Sequence, residues 1–266
     1  MHIPIFQVDA FTSRLFSGNP AAVCPLDSWL SAEMMQSIAA ENNLSETAFF
    51  VQSDAGYELR WFTPKIEVDL CGHATLAAAH VILNILKPDL DTVSFETQSG
   101  RLSVNRDGEL LSMDFPSRAS EFVPTLESLS NALGKAPSEV HMSRDVLALY
   151  EDEVTVRALS PDMAQLAMIE EGLGVIATAK GDEVDFVSRF FAPKAGIAED
   201  PVTGSAHCTL VPFWSERLGR TKLRARQISE RGGELLCELQ GERVKLSGQC
   251  ALYLTGNVQL TDDLER

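Results

Sequence analysis

The sequence predicts an α+β fold of two similar, pseudo-symmetric domains, each a mostly antiparallel curved sheet wrapped around one central helix. Three observations carry this expectation. The chain contains a long internal repeat, its hairpins alternate polar and apolar residues around glycine turns, and two glycine-led helices are apolar around most of their circumference.

The repeat is clearest at "LRWFTPK" (59–65), which returns as "SRFFAPK" (188–194). Arg60, Phe62, Pro64 and Lys65 recur 129 positions later as Arg189, Phe191, Pro193 and Lys194. The same spacing lays "LSAEMMQSIAAENNLSETAF", from Leu30, over "LSPDMAQLAMIEEGLGVIAT", from Leu159. These two stretches share Leu30, Ser31, Met34, Gln36, Glu41, Leu44 and Ala48. Downstream, "CGHATLAAAHVILNIL" answers "TGSAHCTLVPFWSERL" once Gly72 is set on Gly204, and Gly100 and Gly108 fall on Gly233 and Gly241. A few inserted residues in "AGIAEDPVT" absorb the slip in spacing, and the match fades before residue 30.

Taken in order, each copy holds a polar-start helix, a strand, a second strand ending in the shared Pro-Lys, a glycine-led helix and a hairpin. The first glycine-led helix is expected from Gly72 to Leu86 and the second from Gly204 to Leu218. Being apolar nearly all round, they suit enclosure by a sheet. The hairpins, as in "SGRLSVNRDGELLSMDFP", alternate in the way that favours antiparallel pairing. The expected domains are residues 1–118 and 119–266, joined near "SRASEFVPT", with the last strand free to pack back on the first domain.

Charge and composition narrow the function classes. With 38 acidic against 22 basic residues, a net charge of -16 and no Lys/Arg block, most of the surface repels a phosphate backbone, which argues against nucleic acid. The N-terminal "MHIPIFQVDAFTSRLFSG" lacks the charged and apolar regions of a signal peptide, and no run of about 18 apolar residues occurs. A cytoplasmic chain without a membrane partner is expected. Five cysteines, Cys24, Cys71, Cys208, Cys237 and Cys250, form no CxxC pair, so neither a disulfide framework nor a zinc ribbon is predicted. The histidines show no HxxxH or HxH spacing, and no metal site is expected.

Glu46 stands out. In "ENNLSETAFFV" it sits in an apolar run that reads as a buried strand, where an unpaired charge costs several kcal/mol or shifts its pKa. The repeat sets Val175 opposite Glu46, so the strand itself is satisfied by an apolar side chain and the acid reads as a functional addition. The structural alternative is an edge glutamate, or one paired with Arg60. At the glycine-led helices, first-turn amides at Gly72, Gly204 and Ser205 lack intrahelical partners and carry the positive end of the helix dipole, which makes each start an anion receptor. If the domains face each other about a pseudo-two-fold axis, "CGHAT" and "TGSAH" meet across a cleft, with His73, Asp200 and Ser205 nearby. Taken singly, Asp200 is equally a cap residue, Ser205 a first-turn residue and His73 a core histidine.

At these residues the sequence resembles the phenazine biosynthesis PhzF-like family, within the wider diaminopimelate epimerase-like superfamily. The stretches "DAFTSRLFSGNPAAVC", "NLSETAFFV", "LRWFTPKIEVDLCGHATLAAA" and "RFFAPKAGIAEDPVTGSAHC" look like family signatures, in order over nearly the whole chain. The resemblance implies a site in the cleft between two such domains, a small carboxylate-bearing substrate, no cofactor and a homodimer, although no heptad supports the last. It implies Glu46 as the acid/base residue, with His73, Asp200 and Ser205 completing the catalytic set. Asn19, Gly72, Gly204 and Cys71 are implied as substrate-binding groups.

One departure bears on mechanism. Epimerases of the superfamily use two cysteines, one at each helix start. Here only Cys71 stands in such a place, and the lead-in position of the second copy reads Pro201, which can neither take nor give a proton. One acid/base group working on one face remains, which fits an isomerisation. The alternatives are an epimerase or racemase using Cys71 with a non-cysteine partner, and a non-catalytic small-molecule binding protein.

Overall fold

The computed structural model describes residues 1–261 and separates into two compact units. One consists of Met1–Asp114 with the chain from Ser247 onward, the other of Phe115–Leu246. The division therefore falls before Phe115 instead of after Arg118. The last strand, Cys250–Gln259, belongs to the first unit, where it pairs antiparallel with His2–Ala10.

In the first unit, Asn19–Leu26 lies antiparallel to His2–Ala10 and parallel to Glu46–Ser53. Glu46–Ser53 pairs antiparallel with Gly56–Phe62, which runs parallel to Thr92–Thr97. The sheet continues antiparallel through Gly100–Asp107 and Leu110–Pro116. The second unit repeats this order. Val146–Leu149 is parallel to Val175–Lys180, which is antiparallel to Phe186–Ala192, and that strand is parallel to Lys222–Gln227 and so leads to antiparallel Gly233–Gln240. Each copy thus mixes two parallel joints into a mostly antiparallel sheet.

The helix Gly72–Val81 is buried on every side, from His73 through Ala79 and again at Val81, and packs against strands of its own unit. It stops short of Leu86 as an α-helix because Ile82–Leu86 widens into a π-turn, closed by Lys87 N–H donating to the Ile82 carbonyl at 2.7 Å. The Arg106 guanidinium donates to the carbonyls of Leu83 and Pro88, both at 2.8 Å, and so satisfies groups that the turn frees. The second central helix runs Gly204–Leu218 and closes on Gly219 in the left-handed region.

The polar-start helices differ more than their sequences do. Ala32–Asn42 begins on Ser31, whose side chain accepts from Met34 N–H at 3.2 Å. Its counterpart is a single turn, Met163–Ala167, capped by Asp162 and not by the aligned Ser160. The repeated Arg-x-Phe has a structural cause. Arg60 grips Glu67 through two bonds of 2.7 Å and lies 5.2 Å over the Phe62 ring. Arg189 grips Glu199 at 2.7 and 2.8 Å and lies 4.9 Å over Phe191. Among the described residues, no helix is long and apolar enough to cross a membrane.

Candidate active site

Glu46 is the first residue of its strand and Val175 is the first residue of the matching strand. Both are buried, Glu46 at 9% exposure and Val175 at 4%, so the repeat equates positions that are structurally equivalent. The expected alternative of a pair with Arg60 does not hold, since that guanidinium is committed to Glu67. Glu46 instead meets His73, the second residue of the central helix, with Oε2 2.9 Å from Nε2. The two atoms approach closely without the alignment of a hydrogen bond, and both are shut away from solvent.

The other ring nitrogen is also engaged. His73 Nδ1 lies 3.2 Å from Asn19 Nδ2 and 3.5 Å from Cys71 Sγ. Asn19 is fully buried at the start of Asn19–Leu26. Gly18 delivers it there with φ +68, at a point where any Cβ would come within 2.2 Å of the Ala10 carbonyl oxygen, so only glycine serves. Where Asn19 Nδ2 donates to Nδ1 the ring is neutral with its proton on Nε2, facing Glu46, and in the imidazolium both ring nitrogens are donors.

Burial pushes the Cys71 thiol up, and the neighbouring Glu46 carboxylate adds to this against the opposing effect of His73. Burial by itself pulls the His73 imidazole down, but Cys71 and Glu46 more than offset it, and the ring stands well above its ordinary value. The contribution from Cys71 operates only when the thiol is ionised. The Glu46 carboxylate favours the charged ring as well. The arrangement is a dry carboxylate–imidazole–thiol cluster at a helix start, able to exchange a proton with a bound carbon acid. One donor atom each from Glu46, Cys71 and His73 lies within 4.8 Å of the others, a set that could also take a thiophilic cation. The positive end of the helix dipole opposes a cation and favours an anion there.

In the second unit, Asp200 ends the strand Ile197–Asp200, and Gly204 opens the helix with half-buried Ser205 in its first turn. The expectation for Pro201 needs correction. The N-cap residue matching Cys71 is Thr203, since each directly precedes the first helical glycine in extended backbone, and Pro201 lies two places earlier. The absence of a second thiol stands, but for a different reason. A threonine hydroxyl does not ionise near neutral pH, and Thr203 Oγ1 donates to Asp200 Oδ2 at 2.5 Å.

Sequence reading missed Gln227. Fully buried, it donates to the Asp200 carbonyl at 2.7 Å and accepts from Thr203 N–H at 2.9 Å, which pins the lead-in to the helix. Nothing in "RARQISE" marks it, because the contact joins residues 24 or more apart. Neither glycine-led helix has a side-chain cap on its first-turn amides, so both starts keep the character of an anion receptor. The first unit thus brings together Glu46, Cys71, Gly72, His73 and Asn19, while Asp200, Gly204 and Ser205 gather at the helix start of the second.

A family profile described as phenazine biosynthesis-like protein (PhzC-PhzF) matches residues 8–256. A relative from Pseudomonas aeruginosa, named an uncharacterized isomerase, is 53% identical over 263 residues, covering 98% of this chain and 100% of the relative. The crystal structure of a phenazine biosynthesis protein of the PhzF family from Enterococcus faecalis superposes with a TM-score of 0.96 at 48% identity, covering 98% of this chain and 100% of that one. A predicted epimerase from Pseudomonas aeruginosa, 19% identical, shares the fold with a TM-score of 0.76, covering 97% of this chain and 100% of that one. With its predicted two-copy α+β architecture in place and its length matched from Val8 to Gly256, the chain belongs to the phenazine biosynthesis-like family.

Proposed function

We propose that the protein is a cofactor-independent isomerase that moves a proton within a small carboxylate-bearing molecule, with Glu46 as the acid/base group. The observation that carries this reading is a buried glutamate, at a strand position where the sister copy has valine, set 2.9 Å from a histidine at a helix start. The isomerase name of the Pseudomonas relative supports the reaction class. In the proposed step, the carboxylate takes a proton from a carbon next to the substrate carboxylate or a conjugated system. The C–H electron pair enters the adjacent π-system, and the Glu46 carboxyl, after exchanging its proton with solvent, returns one proton to another carbon of the molecule, so no other reagent is consumed. The His73 imidazolium and the first-turn amides stabilise the developing negative charge. Asp200, Gly204 and Ser205 enter the proposal through the family motif.

The test uses a panel of small amino and hydroxy acids, aromatic and cyclohexadiene types included, incubated with the protein in D₂O and read by mass spectrometry for deuterium. Turnover with washed-in label is expected. Glu46→Gln, nearly isosteric, should reduce it by roughly 10²- to 10⁴-fold, the usual worth of a positioned acid/base, and an unchanged rate would remove Glu46 from the mechanism. Cys71, 3.5 Å from the histidine, favours a second reading, an epimerase in which thiol and carboxylate serve opposite faces. A product inverted at one carbon, together with loss of activity in Cys71→Ala, would select it.

A further inference from the structure

Glu46, Cys71 and His73 supply a carboxylate, a thiol and an imidazole, a donor set suited to zinc and cadmium and not to calcium or magnesium. One donor atom from each lies within 4.8 Å of the other two. The tightest part of the set already has the spacing of a coordination shell. Cys71 Sγ is 3.5 Å from His73 Nδ1, and two tetrahedral ligands at about 2.3 Å for sulfur and about 2.0 Å for nitrogen are themselves about 3.5 Å apart. The other ring nitrogen is 2.9 Å from Glu46 Oε2, so the carboxylate steadies the ring. Cys71 is the N-cap residue of its helix, but its side chain makes no cap bond and Sγ turns to His73 instead. Glu46, Cys71 and His73 are 9%, 7% and 6% exposed, so packing holds the three donors together before any ion arrives.

Charge balance favours a divalent ion. The helix dipole, worth about half a charge, opposes a lone cation. Coordination removes the thiol proton, however, and a divalent ion with one thiolate, one carboxylate and a neutral imidazole sums to zero. A neutral set suits a dry site, where an isolated charge costs most. The cost falls on Asn19, whose Nδ2, 3.2 Å from Nδ1, has to turn aside. We propose that the first unit holds one thiophilic divalent cation of the zinc class, with Cys71 Sγ, His73 Nδ1 and a Glu46 carboxylate oxygen as ligands and water completing the tetrahedron. Histidine spacing does not reveal such a site, because its ligands come from a strand start and a helix start that meet only in the fold. The site rests on this geometry alone. Its consequence rests on the acid/base reading of Glu46: an ion that occupies the carboxylate and the ring lone pair blocks proton transfer, so the cation is an inhibitor.

Cd²⁺ is the probe, because thiolate coordination gives it an ultraviolet charge-transfer band. Titration of the full chain should show one ion bound per chain with that band, and about a hundredfold excess of Mg²⁺ or Ca²⁺ should not displace it. Cys71→Ser should abolish the band and weaken binding about 100-fold or more. His73→Asn and Glu46→Gln should each weaken it by at least the roughly 10- to 100-fold that even an outer partner of a ligand is worth. Cadmium-113 NMR on the unaltered chain reads the ligand set without relying on variant folding, and should show a single resonance shifted by one sulfur ligand. No binding at about millimolar Cd²⁺ overturns the inference. So does a resonance typical of oxygen ligands alone, or a band that survives in Cys71→Ser and so belongs to another of the five cysteines. In the deuterium assay, Zn²⁺ should stop label entry and a chelator should restore it. Cadmium bound at Cys71 with label entry unchanged by Zn²⁺ upholds the site and counts against Glu46 as the acid/base group, so the two readings fail separately.

Discussion

Replacing Glu46 by valine separates its structural from its chemical role, because the second copy of the fold already uses valine at the equivalent Val175. Two effects oppose each other. The lost attraction to His73, for charges 3 to 4 Å apart in an effective dielectric near 20, is on the order of 4 kcal/mol. Against it stand the desolvation that the carboxylate no longer suffers and about 1.5 to 3 kcal/mol from burying a valine side chain. The usual penalty for orphaning a buried charge is softened here because histidine can shed its proton. The expected net change is within about 1 kcal/mol of zero, with proton exchange on substrate lost. The reverse change, Val175→Glu, buries a carboxylate in an apolar cluster with Val146, Ala177 and Phe191 and should cost more than about 3 kcal/mol. Urea denaturation of both variants, alongside the deuterium assay, reads the two quantities separately. If Glu46→Val loses more than about 3 kcal/mol, the carboxylate is holding the fold together and the catalytic reading loses its ground.

Two pH dependences follow from buried histidines. His207 is wholly enclosed, its Nδ1 donates to the Thr203 carbonyl at 2.8 Å, and burial lowers it to about 4. Its neutral form is favoured by folding, so its contribution is complete above pH about 6.5 and disappears as pH falls through 4, a loss of about 3 kcal/mol. His207→Gln should flatten the acid limb of stability measured by urea titration between these pH values. His73 has the opposite sign. Its raised value means that its pairing stabilises the fold fully below pH about 6.5 and loses that effect as pH rises through the folded value. The stability difference between the unaltered protein and His73→Asn should therefore shrink on going to alkaline pH, and a difference that grows would contradict the His73–Glu46 pairing.

The sequence by itself determined the duplication, the two glycine-led helices and the identity of the odd acid. These are local or periodic properties, written in spacing, glycine placement and the contrast between Glu46 and Val175. Resemblance to the family added Cys71, His73 and Asn19, from separate stretches of the chain, as expected site residues. Only the tertiary structure decided what they do to one another. It put Asn19 and Cys71 on one ring nitrogen of His73 and Glu46 on the other, it committed Arg60 to Glu67, and it made Thr203 instead of Pro201 the counterpart of Cys71. It alone drew Gln227 to the second helix start. The physical reason is that periodicity encodes which face of an element is apolar, whereas hydrogen-bond partners and exposed edges depend on distances between segments far apart in the chain, which no local pattern records.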